Sequence, residues 1–163
     1  MFKKIAIAAT LAILSSAAMA ADQPYFYAGG DLGSTKVTGA DRETSYGVFG
    51  GYQINENFAV ETGFRRLADT QAYGADLKID QIQVSAIGTI PLSNGFNVYG
   101  RLGYNRLSVK ATGVGGSATD HENKALYGIG MGYSFSPTIM GRLEVQKPES
   151  DVTNISAGVS FRF

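Results

Sequence analysis

The sequence predicts an all-β protein, an eight-stranded antiparallel up-and-down transmembrane β-barrel. Apolar residues recur at every second position through eight segments, the pattern of strands that show one face to an apolar phase. The connections between segments alternate short and long. The chain also stops in mid-strand, on "ISAGVSFRF", where soluble domains usually end in a few loosely held polar residues.

The first twenty residues stand apart. "MFKKIAIAATLAILSSAAMA" has a basic start at Lys3 and Lys4, an apolar run and the small-residue ending Ala18-Met19-Ala20, which is the pattern of a cleaved secretory signal. The run is shorter than the roughly 20 apolar residues that a spanning helix needs. The expected organisation is therefore a signal peptide over 1–20 and one barrel domain over 21–163. Without Lys3 and Lys4 the chain has 12 basic against 14 acidic residues, a net charge of −2 with His121 neutral. That balance gives no electrostatic footprint for nucleic acid. There is no cysteine, so disulfide staples and thiolate metal sites are excluded, and no cofactor is expected.

The eight segments follow in order. "YFYAGGDLG" puts Phe26, Ala28, Gly30 and Leu32 on one face, and "TSYGVFGGYQI" puts Thr44, Tyr46, Val48, Gly50 and Tyr52 together. "NFAVETGFRRL" aligns Phe58, Val60, Thr62 and Phe64, and "DQIQVSAIGTI" aligns Ile82, Val84, Ala86 and Ile90. "GFNVYGRLGYN" offers Phe96, Val98, Leu102 and Tyr104, and "LYGIGMGYSF" offers Tyr127, Ile129, Met131 and Tyr133. "TIMGRLEVQ" gives Ile139, Leu143 and Val145, and the closing strand gives Ile155, Ala157, Val159, Phe161 and Phe163. Each segment is about 9 to 11 residues, enough to cross a bilayer when tilted.

Short turns, "INEN", "PLSNG" and "SPT", follow strands two, four and six, and Asn94-Gly95 is a pair that tolerates positive φ. Longer polar stretches around 34–42, 68–77, 108–123 and 147–152 follow the odd strands and are expected to be loops. All short turns then lie at one end of the barrel and all long connections at the other.

The face opposite the apolar one carries Asp31, Glu61, Arg65, Gln81, Gln83, Ser85, Arg101, Asn105, Arg142, Glu144, Ser156, Ser160 and Arg162. A soluble sandwich could in principle bury the apolar face. The aromatic residues clustered near strand ends argue for lipid outside and polar side chains inside. An even number of strands closes the sheet and leaves no unpaired edge in lipid. An eight-stranded lumen is only wide enough for side chains to fill, so the inward charges are expected to pair. The expected pairs are Glu61 with Arg142, Arg101 with Glu144, and Asp31 with Arg162.

The pieces "YFYAGGDLG", "VFGGYQINENFAVETGF", "NVYGRLGY", "SPTIMGRLE" and "GVSFRF", in this order over essentially the whole mature chain, resemble the OmpA-like transmembrane barrel family, with OmpX/Ail-type barrels sharing the architecture. The resemblance implies a Gram-negative outer membrane, periplasmic termini and loops at the cell surface. It implies outer-membrane lipid, lipopolysaccharide and the barrel-assembly machinery as partners, with Phe161 and the terminal Phe163 as the assembly signal. The resemblance does not extend to the peptidoglycan-binding domain that follows the barrel in OmpA, so no cell-wall tether is expected. In the resembling barrels a charged network fills the lumen. Glu61, Arg101, Arg142 and Glu144 stand at matching positions, whereas Gly132 and Ile87 replace a further acid and a lysine, which implies a smaller network.

The function this supports is structural or concerned with interaction at the cell surface, with a lumen plugged by charged side chains. A narrow pore for ions or small solutes is the alternative from a transport class. A lipid hydrolase would need His121, in "TDHENK", to meet a serine and an orienting acid such as Glu122. The glycine-rich "ATGVGGS" and "GIGMG" lack the lysine and the strand-to-helix context of a phosphate loop. The loops offer Lys36, Arg42, Asp69, Tyr73, Asp76, Lys110, Asp120, Glu122 and Lys147 to an extracellular partner, with no motif that names one.

Overall fold

The computed structural model describes residues 24–39, 42–72, 75–113 and 116–163. The signal-peptide segment lies outside the described residues. Eight strands follow one another: β1 (Tyr25–Val37), β2 (Arg42–Asn55), β3 (Phe58–Ala72), β4 (Ala75–Pro91), β5 (Phe96–Gly113), β6 (Gly116–Ser134), β7 (Ile139–Glu149) and β8 (Val152–Arg162). Each pairs antiparallel with the next, and β8 pairs with β1, so the sheet is a closed barrel. Closure is completed by the last residue, because the Phe163 amide donates to the Phe26 carbonyl at 2.9 Å and the Phe26 amide donates back at 3.2 Å. The terminal aromatic thus belongs to the sheet that it closes, leaving no open edge between the two ends of the chain.

Parity sorts the two faces. Phe26, Leu32, Val48, Ile82, Leu102, Tyr104 and Ile129 point outward and are exposed, while Asp31, Glu61, Arg65, Arg101 and Glu144 are buried inside. In water this would be an inverted protein; in lipid the outward band is the buried one. Aromatic residues border it at both ends, with Tyr46, Phe64, Tyr104 and Tyr127 toward one rim and Phe26, Tyr52, Phe58, Phe96, Tyr133 and Phe161 toward the other.

The end that holds the termini has tight connections. Asn94 and Gly95 adopt φ of 61° and 80°, the left-handed geometry that this dipeptide accommodates. The Asn55 side chain accepts from the amides of Asn57 and Phe58, both at 2.9 Å, and turns β2 into β3.

The opposite end departs from expectation. The stretches expected as long loops are mostly strand: β3 to β6 run for 15, 17, 18 and 19 residues, well past a bilayer crossing. Lys110 pairs opposite Thr119, and Asp69 opposite Lys78. Above the membrane a two-stranded ribbon meets water on both faces. Its hydrophobic alternation disappears while its backbone ladder continues, so polarity alone reads as loop.

Candidate functional site

The lumen is the site. Its core is an ion cluster in which Arg101 on β5 joins two carboxylates. Arg101 donates from Nη2 to Glu61 Oε1 at 2.7 Å, and from Nε and Nη2 to Glu144 at 2.8 and 3.0 Å. A further donation reaches Ser85 Oγ on β4 at 3.2 Å. Arg142 on β7 donates to Glu61 on β3 at 2.7 Å. In a ring of eight strands β3 and β7 face each other across the full width, so this bond spans the lumen. Arg142 also lies 3.4 Å above the centre of the Phe49 ring, a cation–π contact on its remaining face.

Glycines shape the cluster. Tyr27, Gly51 and Glu61 are in register across β1, β2 and β3, so the Tyr27 ring lies over Gly51 and its hydroxyl donates to Glu61 at 3.1 Å. Tyr99, Gly130 and Glu144 repeat this across β5, β6 and β7, with the hydroxyl donating to Glu144 at 2.8 Å. A β-carbon on either glycine would occupy the ring's place. Asp31, Gly47 and Arg65 form a third such row, in which Arg65 crosses Gly47 and donates to Asp31 at 2.7 Å. The buried charges among the described residues are Asp31, Glu61 and Glu144 against Arg65, Arg101 and Arg142, so the lumen is close to neutral.

Two expected pairs therefore meet, Glu61 with Arg142 and Arg101 with Glu144. The third is corrected. Register places Arg162 opposite Tyr27, four residues along β1 from Asp31, too far for contact. Asp31 instead binds Arg65 and lies 3.7 Å from Arg142. Arg162 sits 4.9 Å above the Tyr25 ring, at the mouth of a cavity of about 230 Å³ that opens at the termini end.

Above and below the cluster the lumen changes character. Toward the ribbon end Asn154 accepts from Arg65 at 2.6 Å and donates to Thr35 and Ser45 at 2.9 and 2.7 Å. Asn105 donates to the Pro148 carbonyl at 2.8 Å. Toward the termini Ile87 joins Tyr25, Tyr27, Phe49, Ala59 and Tyr99 in an apolar layer. Ile87 thus caps the charges with hydrocarbon, and Gly132 is covered by the Asn97 side chain.

His121 is in β6, where a loop was expected. It faces Ser108 across the ladder, with Ser108 Oγ 2.8 Å from Nδ1. Glu122 adjoins it in sequence and so projects to the other face; it pairs with Lys124 at 3.0 Å. The triad that a lipid hydrolase would need is not assembled among the described residues, and no group of His, Asp or Glu side chains among them could hold a metal.

The closed ring of eight antiparallel strands, apolar outside and charged within, is the architecture of a transmembrane barrel, and the outer membrane protein β-barrel domain model matches residues 6–163. The chain belongs to that family. It is 30% identical to outer membrane protein A of Salmonella typhi over 99% of this chain and 55% of the relative. Outer membrane protein P5 of Haemophilus influenzae is 29% identical over 99% of this chain and 60% of the relative. The chain thus spans little more than half the length of these relatives. Among solved structures, the N-terminal β-barrel domain of OprF from Pseudomonas aeruginosa matches with a TM-score of 0.66, 14% identity and coverage of 86% of this chain and 100% of that one. Ail, the attachment invasion locus protein of Yersinia pestis, matches with a TM-score of 0.62, 18% identity and coverage of 86% and 97%. These likenesses show the fold. As an outer membrane β-barrel, the protein crosses the bacterial outer membrane with its strands.

Arg65 was placed on the inward face from sequence but given no partner, and Tyr27, Phe49, Tyr99 and Asn154 were not named there at all. Parity alone signals them, since each falls on the same face as Glu61 or Arg142. Which of them touch depends on the register between strands.

Proposed function

We propose that this barrel is a non-conducting outer-membrane scaffold with a structural or surface-interaction role, oriented with its termini in the periplasm and its ribbon end at the cell exterior. The observation that carries the reading is the Arg101 bridge to Glu61 and Glu144, continued by Arg142. These side chains cross the lumen where an ion would have to pass. Supporting it, the name of Ail describes attachment and invasion, and the Ser108–His121 pair has no orienting carboxylate among the described residues. Phe161 and Phe163, at the strand end that closes the barrel, are proposed as the signal read by the assembly machinery.

Planar-bilayer recording of the purified protein tests the lumen. No discrete conductance steps are expected; reproducible steps would replace this reading with that of a narrow pore. Because the chain has no cysteine, a single Thr38→Cys variant tests orientation with a membrane-impermeant maleimide. Labelling of intact cells is expected, and labelling only after lysis would reverse the orientation.

A further inference from the structure

The end of the lumen that opens beside the termini holds the cavity of about 230 Å³. Glu61 and Arg142 of the ion cluster line its inner end, so it is a blind pocket and not a passage. Its walls are largely hydrocarbon. Tyr25, Tyr27, Ile87 and Tyr99 line it, and all four are buried. The hydroxyls of Tyr27 and Tyr99 are already engaged by Glu61 and Glu144, which leaves their rings as apolar surface. An apolar pocket with a few convergent polar groups is the usual form of a small-molecule site.

The convergent polar groups here are donors that the protein answers poorly. Arg162 Nη2 reaches Ser134 Oγ at 3.5 Å and Met140 Sδ at 3.9 Å, and its Nε is buried with no acceptor among the described residues. Asn97 Nδ2 donates to the same sulfur at 3.6 Å. A guanidinium and an amide thus converge on one thioether, a weak acceptor. The other inward arginines are treated differently: Arg65, Arg101 and Arg142 each have a carboxylate at 2.7 Å. Nε and Nη2 lie along one edge of a guanidinium, spaced to receive both oxygens of a carboxylate. Arg162, Asn97, Ser134 and Met140 all line the cavity, and an unbranched methionine side chain can swing aside.

Size and charge narrow the ligand. A dry cavity of about 150 Å³ takes up benzene, so this one has room for a single ring together with a carboxylate. Glu56, exposed in the turn between β2 and β3, is the remaining charged residue at the mouth. It disfavours a second negative charge on whatever binds.

We propose that this cavity is a binding site for a small monocarboxylate with an apolar body, a ring or a branched chain of similar size. The carboxylate takes the Nε–Nη2 edge of Arg162 and the Asn97 amide in place of the Met140 sulfur, and the apolar body lies against Tyr25, Ile87 and Tyr99. The site is on the termini side of the ion cluster, so occupancy requires neither conduction nor a particular orientation in the membrane.

The experiment titrates the folded protein in phosphatidylcholine nanodiscs with para-fluorobenzoate, followed by its fluorine resonance, with empty nanodiscs as the blank. The uncharged para-fluorobenzamide is titrated in parallel. Saturable binding of the carboxylate is expected, with the amide weaker by about tenfold or more, the worth of a hydrogen bond to a charged group. Arg162→Gln is expected to weaken the carboxylate by a similar factor and to leave the amide unchanged. Met140→Ala frees both donors and is expected to tighten the carboxylate. Equal binding of carboxylate and amide, undiminished carboxylate binding by Arg162→Gln, weaker binding by Met140→Ala, or no saturation beyond the empty discs would each overturn the proposal. Should Arg162→Gln not fold, the comparison of carboxylate with amide on the unaltered protein and on Met140→Ala decides the matter.

Discussion

The luminal cluster and the ribbon-end pairs use the same chemical groups with opposite consequences. Arg101, Glu61 and Glu144 are sealed from solvent, and each remaining donor or acceptor is answered by Ser85, Arg142, Tyr27 or Tyr99. Arg66 and Asp80 make an equally short bond, 2.8 Å, but their side chains keep about a quarter of their surface. Distance therefore does not rank the two. A buried charge that loses its partner cannot be rescued by water, whereas an exposed one can.

The sharpest way to break that comparison is Arg101→Ala, which leaves Glu61 and Glu144 facing each other in a closed lumen. A loss of about 3–5 kcal/mol is expected in urea unfolding from lipid vesicles. A loss under about 1 kcal/mol would place the cluster with the exposed pairs and imply a hydrated lumen. Gly130→Val comes next. The added side chain would take the space of the Tyr99 ring and remove its hydroxyl from Glu144, at about 1–3 kcal/mol by the same assay. Wild-type stability in this variant would show that the ring has another resting place.

Arg65→Gln tests the corrected pairing. Asp31 would keep Arg142 at 3.7 Å, so about 1–3 kcal/mol is expected, less than for Arg101. If Arg162→Gln destabilised the barrel more than Arg65→Gln, the register argument would fail. Asp80→Asn at the rim should change stability by about 0–1 kcal/mol, and that difference should fade in added salt.

The smallest effect concerns Lys124, whose ammonium is held above its ordinary value chiefly by its hydrogen bond to Glu149, and also by that to Glu122. A raised value in the folded state means the contribution is complete below about pH 10.4 and is lost only as pH rises beyond it. Lys124→Gln should therefore narrow the stability difference between neutral and strongly alkaline solution only slightly. A large change in that difference would mark Lys124 as more enclosed than its surroundings indicate.

Strand number, order and facing were legible because the bilayer makes them so. Outside lipid, a polar lumen and a sheet without edges leave one arrangement for eight alternating segments joined by short and long links. The pairs Glu61–Arg142 and Arg101–Glu144 were legible by parity and by the matching positions of similar barrels. The Asp31 pair was not, because parity gives the face of a residue and not its height. Register between β1 and β8 sets that height, and it moved Arg162 away from Asp31. The long ribbons were misread as loops for a related reason: where water lies on both faces, the backbone ladder persists without any hydrophobic alternation to announce it.

By itself the sequence determined the closed membrane barrel, its apolar outer band and the set of charges that must lie inside. Those follow from composition and a period of two residues. Only the tertiary structure decided which charges meet, because contact across a lumen depends on register, on the strand tilt that sets height, and on the glycines at 47, 51 and 130. By leaving those places empty, the glycines let Arg65, Tyr27 and Tyr99 reach over a neighbouring strand to the carboxylate beyond it.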